Sequence, residues 1–180
     1  MVTLSRSSNL DPFEALGLEP AFGLDVATLE QRHRDLSRAL HPDRHAAKGA
    51  AERRRALGRA IEVNEAYRNL KDPVRRAEAL LALRGVQSGE GKEPAASPAL
   101  LMAVMERREA LAEIRLSKDE VALARLIAEV EREEHRVRAS LELQFADPAA
   151  NSAEILKKVG ELRYYRRFLE EAQAIADDLF

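Results

Sequence analysis

Cysteine is absent from this 180-residue chain. That removes disulfides, thiolate metal ligands, a cysteine nucleophile and any cysteine-held iron–sulfur cluster from the chain itself, so such chemistry would have to belong to a partner. Aromatic residues make up only 4%, and segments that read as strands are nearly missing. No apolar run approaches the ~20 residues of a membrane span. Met1-Val2-Thr3-Leu4-Ser5-Arg6-Ser7-Ser8 has no leader-like apolar stretch, so a cytoplasmic location is expected. A net charge of −2 argues against general nucleic-acid binding. There is also no glycine-rich phosphate loop, so any ATP hydrolysis has to occur on another protein.

What remains is rich in Ala, Leu, Arg and Glu, with 46% hydrophobic and 33% charged residues. That is the balance of packed amphipathic helices, and an all-α fold is expected. Residues 86–97 concentrate Gly, Ser and Pro and interrupt every helical period, which predicts a linker between domains 1–85 and 98–180. The two domains differ in sign. Residues 1–85 hold 15 Lys/Arg and 12 Asp/Glu, whereas residues 98–180 hold 13 and 17, which suggests a different partner for each.

In the first domain, Asp11-Pro12 caps a short helix over Phe13 to Leu16 that Gly17 stops. Asp25 or Thr28 opens a longer helix with Leu29, His33, Leu36 and Leu40 on one face. A third helix is expected over Ala51–Leu70, burying Leu57, Ala60, Ile61, Val63, Tyr67 and Leu70. A fourth runs from Val74 through Arg84 and ends at Gly85. Beyond the linker, helical patterns cover Pro98–Leu116, Lys118–Phe145 and Ala149–Leu179, with Asp147-Pro148 between the last two. Leu123, Ile127, Val130, Val137 and Leu141 form a seam with Glu134 as its polar interruption. Ile155, Val159, Leu162, Leu169, Ala176 and Leu179 form another. An antiparallel three-helix bundle lets each of these helices bury its apolar side.

Between the second and third helices stands His41-Pro42-Asp43. Proline ends the preceding helix near His41, leaving an imidazole, a rigid ring and a carboxylate on an exposed loop tip, which is contact material rather than core material. Arg34 and Arg38 lie one turn apart and opposite the Leu29/Leu36/Leu40 face, so a basic stripe leads to the loop and suits an acidic partner. An ordinary turn beside a solvated face is the plain alternative.

These elements come in the order and at the spacing of the J-domain, which the segment resembles: a short first helix, a basic second helix ending in His41-Pro42-Asp43, and a third ending in Asn64-Glu65-Ala66-Tyr67-Arg68-Asn69-Leu70-Lys71-Asp72-Pro73, with Arg75-Arg76-Ala77 after it. The resemblance implies docking on an Hsp70 and stimulation of its ATPase, with Arg34, Arg38, His41, Pro42, Asp43 and Arg44 at the contact. Asp11-Pro12-Phe13-Glu14-Ala15-Leu16-Gly17-Leu18, Arg75-Arg76-Ala77-Glu78-Ala79-Leu80-Leu81 and Leu100 to Ile114 narrow it further. Nearly the whole chain resembles the HscB-type co-chaperones of iron–sulfur cluster biogenesis. The implied partners are an HscA-like Hsp70 and an IscU-like cluster scaffold, with no cofactor and no metal on the chain. Arg44 stands where lysine is commoner, and His33 where J-domains usually carry an aromatic residue. Eukaryotic relatives often add a cysteine-bearing module, which is missing here, so the chain looks bacterial in type.

The first bundle helix supports a partner surface independently. Leu100, Val104, Leu111 and Ile114 suffice for a core face, leaving Leu101, Met102 and Met105 as surplus hydrophobes. Glu106, Glu109 and Glu113 continue the strip as an acidic line suited to a basic surface. Tyr164 and Phe168 lie off the third-helix seam and can extend the patch. In the resembling family, the positions of Leu101, Met102, Met105, Glu106, Glu109, Glu113 and Tyr164 bind the scaffold. Two other functions compete: a J-protein serving another client, and a metal-dependent hydrolase using His41, Asp43 and His45, for which no second ligand cluster is apparent.

Overall fold

The computed structural model describes residues 11–45, 48–89, 91–92 and 94–179. Residues 1–10 of the expected first domain, Glu90 and Glu93 of the expected linker, and Phe180 at the end of the expected bundle lie outside the described residues. All regular structure among the described residues is helical. The chain divides into two compact units, Met1–Val86 and Gln87–Phe180.

In the first unit, α1 (Pro12–Leu16) begins at proline, whose missing N–H costs nothing at a helix start. The Asp11 carboxylate caps it by accepting the Phe13 N–H at 3.0 Å. Gly17, at φ 65°, ends it in a left-handed conformation that favours glycine. Next, α2 (Val26–Ala39) starts under Asp25, whose carboxylate accepts the Thr28 N–H at 2.9 Å and the Ala27 N–H at 3.3 Å. These bonds, with that from the Thr28 hydroxyl as the largest cause, hold the Asp25 carboxyl below its usual range. After it come the one-turn α3 (Pro42–His45), α4 (Ala50–Lys71) and α5 (Pro73–Leu83). Phe13, Leu16, Leu29, Val63, Leu70 and Leu81 are buried at the centre.

The burial pattern corrects the expected face of α4. Leu57 and Ile61 are 59% and 51% exposed rather than buried. They fall on the strip of Asn64, at the outer edge of the contact with α2, whereas the buried strip runs through Val63, Ala66 and Leu70. Apolar residues are spread around this helix, so periodicity alone does not select one face.

The second unit consists of α6 (Pro98–Ser117), α7 (Glu120–Ala146) and α8 (Ser152–Leu179). The Ser97 hydroxyl caps α6 by accepting the Leu100 N–H at 3.2 Å. Leu123, Val130, Val137 and Leu141 of α7 are buried as expected, and Glu134 shares that face, with its carboxylate 3.8 Å from Arg138. On α8 the expected heptad gives way after Leu162. Tyr165, Phe168, Ala172 and Ile175 are buried, while Leu169, Ala176 and Leu179 are only partly covered. The stripe turns because α8 also faces α6 there: the Arg107 guanidinium lies 5.5 Å over the Tyr165 ring. Phe168, which the sequence offers as a possible extension of the α6 patch, is 2% exposed and packs in the core.

Candidate functional site

The first candidate surface is the end of the α2–α4 hairpin. Leu40 caps the C-terminus of α2 and His41 leaves the helical path. Pro42 then restarts a helix, so the expected loop tip contains one helical turn, because the φ that proline imposes fits a first helical position. The turn is exposed as expected. The His41 Nδ1 accepts the Asp43 N–H at 3.3 Å, which requires the tautomer with its proton on Nε2. The Asp43 carboxylate stays 3.5 Å from that ring and is 89% exposed, so its acceptor oxygens face outward. His45 closes the turn from beneath, with its Nε2 donating to the Ala39 carbonyl at 3.1 Å. His41, Asp43 and His45 thus do not converge, and no trio of potential ligands able to hold a metal ion occurs among the described residues.

Arg34 and Arg38 are exposed along α2 and loosely tethered. Arg34 lies 3.6 Å from Glu30 and donates to Gln31 at 3.0 Å, while Arg38 lies 3.9 Å from Asp35. Surface pairs at such distances contribute little and exchange readily for a partner's carboxylates. Arg44 is exposed at the end of the turn. Behind this surface, α2 and α4 are joined by His33. Its ring stacks on Tyr67 with centroids 4.1 Å apart, and its Nε2 lies 2.8 Å from the Asn64 side-chain oxygen. The histidine that replaces the usual aromatic therefore still covers apolar surface.

The second surface lies on α6. Leu101, Met102 and Met105 are 51%, 63% and 63% exposed and adjoin one another on the helix. Glu106, Glu109 and Glu113 continue along it, all exposed. Like charges three and four residues apart repel by ~0.2–0.5 kcal/mol per pair, a cost that a basic partner would relieve. A cleft of about 660 Å³ opens beside Leu101, lined by Leu100, Val104, Tyr164 and Phe168, with Arg108 at its rim. Tyr164 is therefore beside the α6 patch, as expected. Its hydroxyl is buried without a hydrogen-bond partner. Burial pushes its ionisation above the ordinary 10.0, against the opposing pull of the Arg107 charge.

Arg107 is the residue that sequence reasoning missed. It occupies the core-facing strip between Val104 and Leu111, with a side chain only 14% exposed, 3.6 Å from Glu129 of α7. Its position three residues after Val104 and four before Leu111 was the available signal, hidden by the assumption that arginine faces water.

Comparison with known proteins gives one family at both ends of the chain. A DnaJ domain matches residues 11–79, and an HSCB C-terminal oligomerisation domain matches residues 96–173. A co-chaperone protein HscB homolog of Burkholderia vietnamiensis is 39% identical over 174 residues, covering 97% of this chain and 96% of that one. Among solved structures, the chaperone HscB from Vibrio cholerae matches with a TM-score of 0.81 and 31% identity, covering 95% of this chain and all of that chain. Human co-chaperone HscB reaches the same TM-score at 24% identity, covering 96% and 83%, a likeness of fold.

Proposed function

We propose, because this chain belongs to the HscB family of J-domain co-chaperones, that it is a two-ended adaptor for iron–sulfur cluster transfer. Residues 1–85 dock on a dedicated, HscA-like Hsp70 through Arg34, Arg38, His41, Pro42, Asp43 and Arg44 and stimulate its ATPase. Residues 98–180 hold the IscU-like scaffold through Leu101, Met102, Met105, Tyr164, Glu106, Glu109 and Glu113, and residues 86–97 connect the two. The setting is the bacterial cytoplasm. The observation that carries the reading is the cluster of three hydrophobes more than half exposed on α6, leading into three exposed glutamates. Few monomers leave such a group uncovered, and its acidic extension selects a basic partner.

The chain's own contribution is positioning. Tethering the scaffold to a chaperone-docked protein turns a second encounter into an intramolecular one, raising effective concentration without further chemistry. Steady-state ATPase measurements on the Hsp70, with and without scaffold, test the reading. Wild-type chain and scaffold together are expected to stimulate more than the sum of each alone. Leu101→Ala with Met105→Ala should remove the synergy but keep the basal stimulation. Asp43→Asn should remove both and leave helicity and scaffold binding intact. Scaffold binding untouched by the α6 double substitution would sink the cluster assignment.

A further inference from the structure

We infer, on the Hsp70 reading above, that His45 is a positioning residue of the docking turn: without touching the chaperone, it holds the Asp43 carboxylate at a fixed angle to Arg34 and Arg38 of α2. The docking groups stand on two helical segments, α2 and α3, and the chain between them leaves the helical path at His41. A partner that reads both segments meets them in one mutual orientation. Whatever sets that orientation is part of the docking machinery.

Ordinary helix bonding does not set it. The final carbonyls of an α-helix have no partner within the helix, and α2 ends at Ala39, with the Leu40 N–H closing onto the Leu36 carbonyl at 2.9 Å. Inside the turn, the Arg44 N–H reaches the His41 carbonyl at 3.0 Å and the Asp43 N–H reaches the His41 Nδ1 at 3.3 Å. Those bonds shape α3 and leave its angle to α2 open. Packing is a weak restraint as well: α4 runs behind the turn, but none of Pro42–His45 is buried.

A side chain makes the bond that crosses the break. The His45 Nε2 donates to the Ala39 carbonyl at 3.1 Å, six residues back, and so satisfies a C-terminal carbonyl of α2 from the far end of α3. The other ring nitrogen, Nδ1, is enclosed and has no hydrogen-bond partner. The imidazole is thus a one-point tie, with its Nδ1 edge turned inward while the Asp43 carboxylate faces out. Such a tie pre-organises the turn. Released from it, α3 samples other angles, and apparent affinity for a partner falls with the fraction of molecules in the competent one, while the complex formed at saturation stays the same.

The test titrates full-length variants into the ATPase assay of the HscA-like chaperone. His45→Phe keeps the ring and its volume but removes the donor. The concentration for half-maximal stimulation is expected to rise about five-fold, the size of one hydrogen bond's net contribution, with maximal stimulation and scaffold binding unchanged. His45→Gln, whose side-chain amide nitrogen reaches the place of Nε2, should restore the wild-type titration. Residual dipolar couplings of the Asp43 and Arg44 N–H groups, measured against those of α2, read the angle without the chaperone: one orientation in wild type and the glutamine variant, averaged values in the phenylalanine variant. Wild-type couplings or a wild-type titration for His45→Phe would overturn the positioning role, and equal weakening by Phe and Gln would do so too, by making ring shape rather than the donor decisive. A drop in maximal stimulation with unchanged half-maximal concentration would place His45 in contact with the chaperone and also overturn it. Full stimulation by Asp43→Asn would instead remove the docking reading itself.

Discussion

Replacing Arg76 by methionine should destabilise the first unit more than any surface change. Arg76 is 3% exposed. Its Nε donates to the Leu70 carbonyl at 2.7 Å and its Nη1 to the Phe22 carbonyl at 2.7 Å, while its guanidinium lies 5.8 Å from the Phe22 ring centroid. One side chain thus caps the end of α4 and fastens the segment leading into α2. Methionine fills similar space and spares the desolvation of a charge, but it withdraws a donor from two backbone carbonyls: the Phe22 carbonyl keeps the Leu24 N–H at 2.9 Å, whereas the Leu70 carbonyl loses its guanidinium bond at the buried end of α4. Losing the donor at the Leu70 carbonyl costs ~1–3 kcal/mol and losing the second bond at the Phe22 carbonyl about 1 kcal/mol, offset in part by the charge that is no longer desolvated, for a net loss of about 1–3 kcal/mol. For a unit of this size that lowers its melting temperature by roughly 5–20 °C, read by far-UV circular dichroism with amide NMR signals assigning the transition to the first unit. Arg76→Lys should fall between the two, because one ammonium cannot reproduce the two-nitrogen geometry. A methionine variant melting within about 3 °C of wild type would refute the reasoning and make the guanidinium a passenger.

Two other outcomes follow from the bundle. Tyr164→Phe removes an unpartnered buried hydroxyl and should leave stability at neutral pH unchanged or slightly raised. Because folding raises the Tyr164 ionisation above 10.0, its contribution is fully present below that pH and lost as pH rises through the folded-state value. The phenylalanine variant should therefore melt less steeply with pH above 10 than wild type; identical alkaline profiles would count against a buried hydroxyl. Changing Glu106, Glu109 and Glu113 together to Gln should weaken scaffold affinity at low salt, with the gap closing as salt screens the charges. A gap independent of ionic strength in calorimetric titrations would rule out the electrostatic role.

The sequence was legible where local chemistry decides the outcome. Asp11-Pro12 and Gly17 bound α1, and Asp72-Pro73 separates α4 from α5, because caps and prolines act within a few residues. The surplus of Leu101, Met102 and Met105 was countable before any coordinates, since a core face needs only one stripe. The failures share a different cause. Leu57 and Ile61 were assigned by apolarity and a fixed repeat, yet their burial depends on which neighbour lies alongside. Arg76 and Arg107 were hidden because a long side chain can bury its stem and guanidinium when acceptors or rings await them, and those arrive only with the tertiary fold. The helical turn at Pro42 was missed by reading proline as a stop when it also starts helices.

Methionine occurs three times in the chain, and two of the three sulfur atoms, those of Met102 and Met105, sit in the exposed α6 patch. Thioethers let that surface adapt its shape to a partner, but a sulfoxide at either position would place a polar, chiral S=O group in its apolar centre. A chain without cysteine thus concentrates its exposure to oxidants at the surface proposed to hold the cluster scaffold, where a reversible chemical change would act on docking and leave the fold alone.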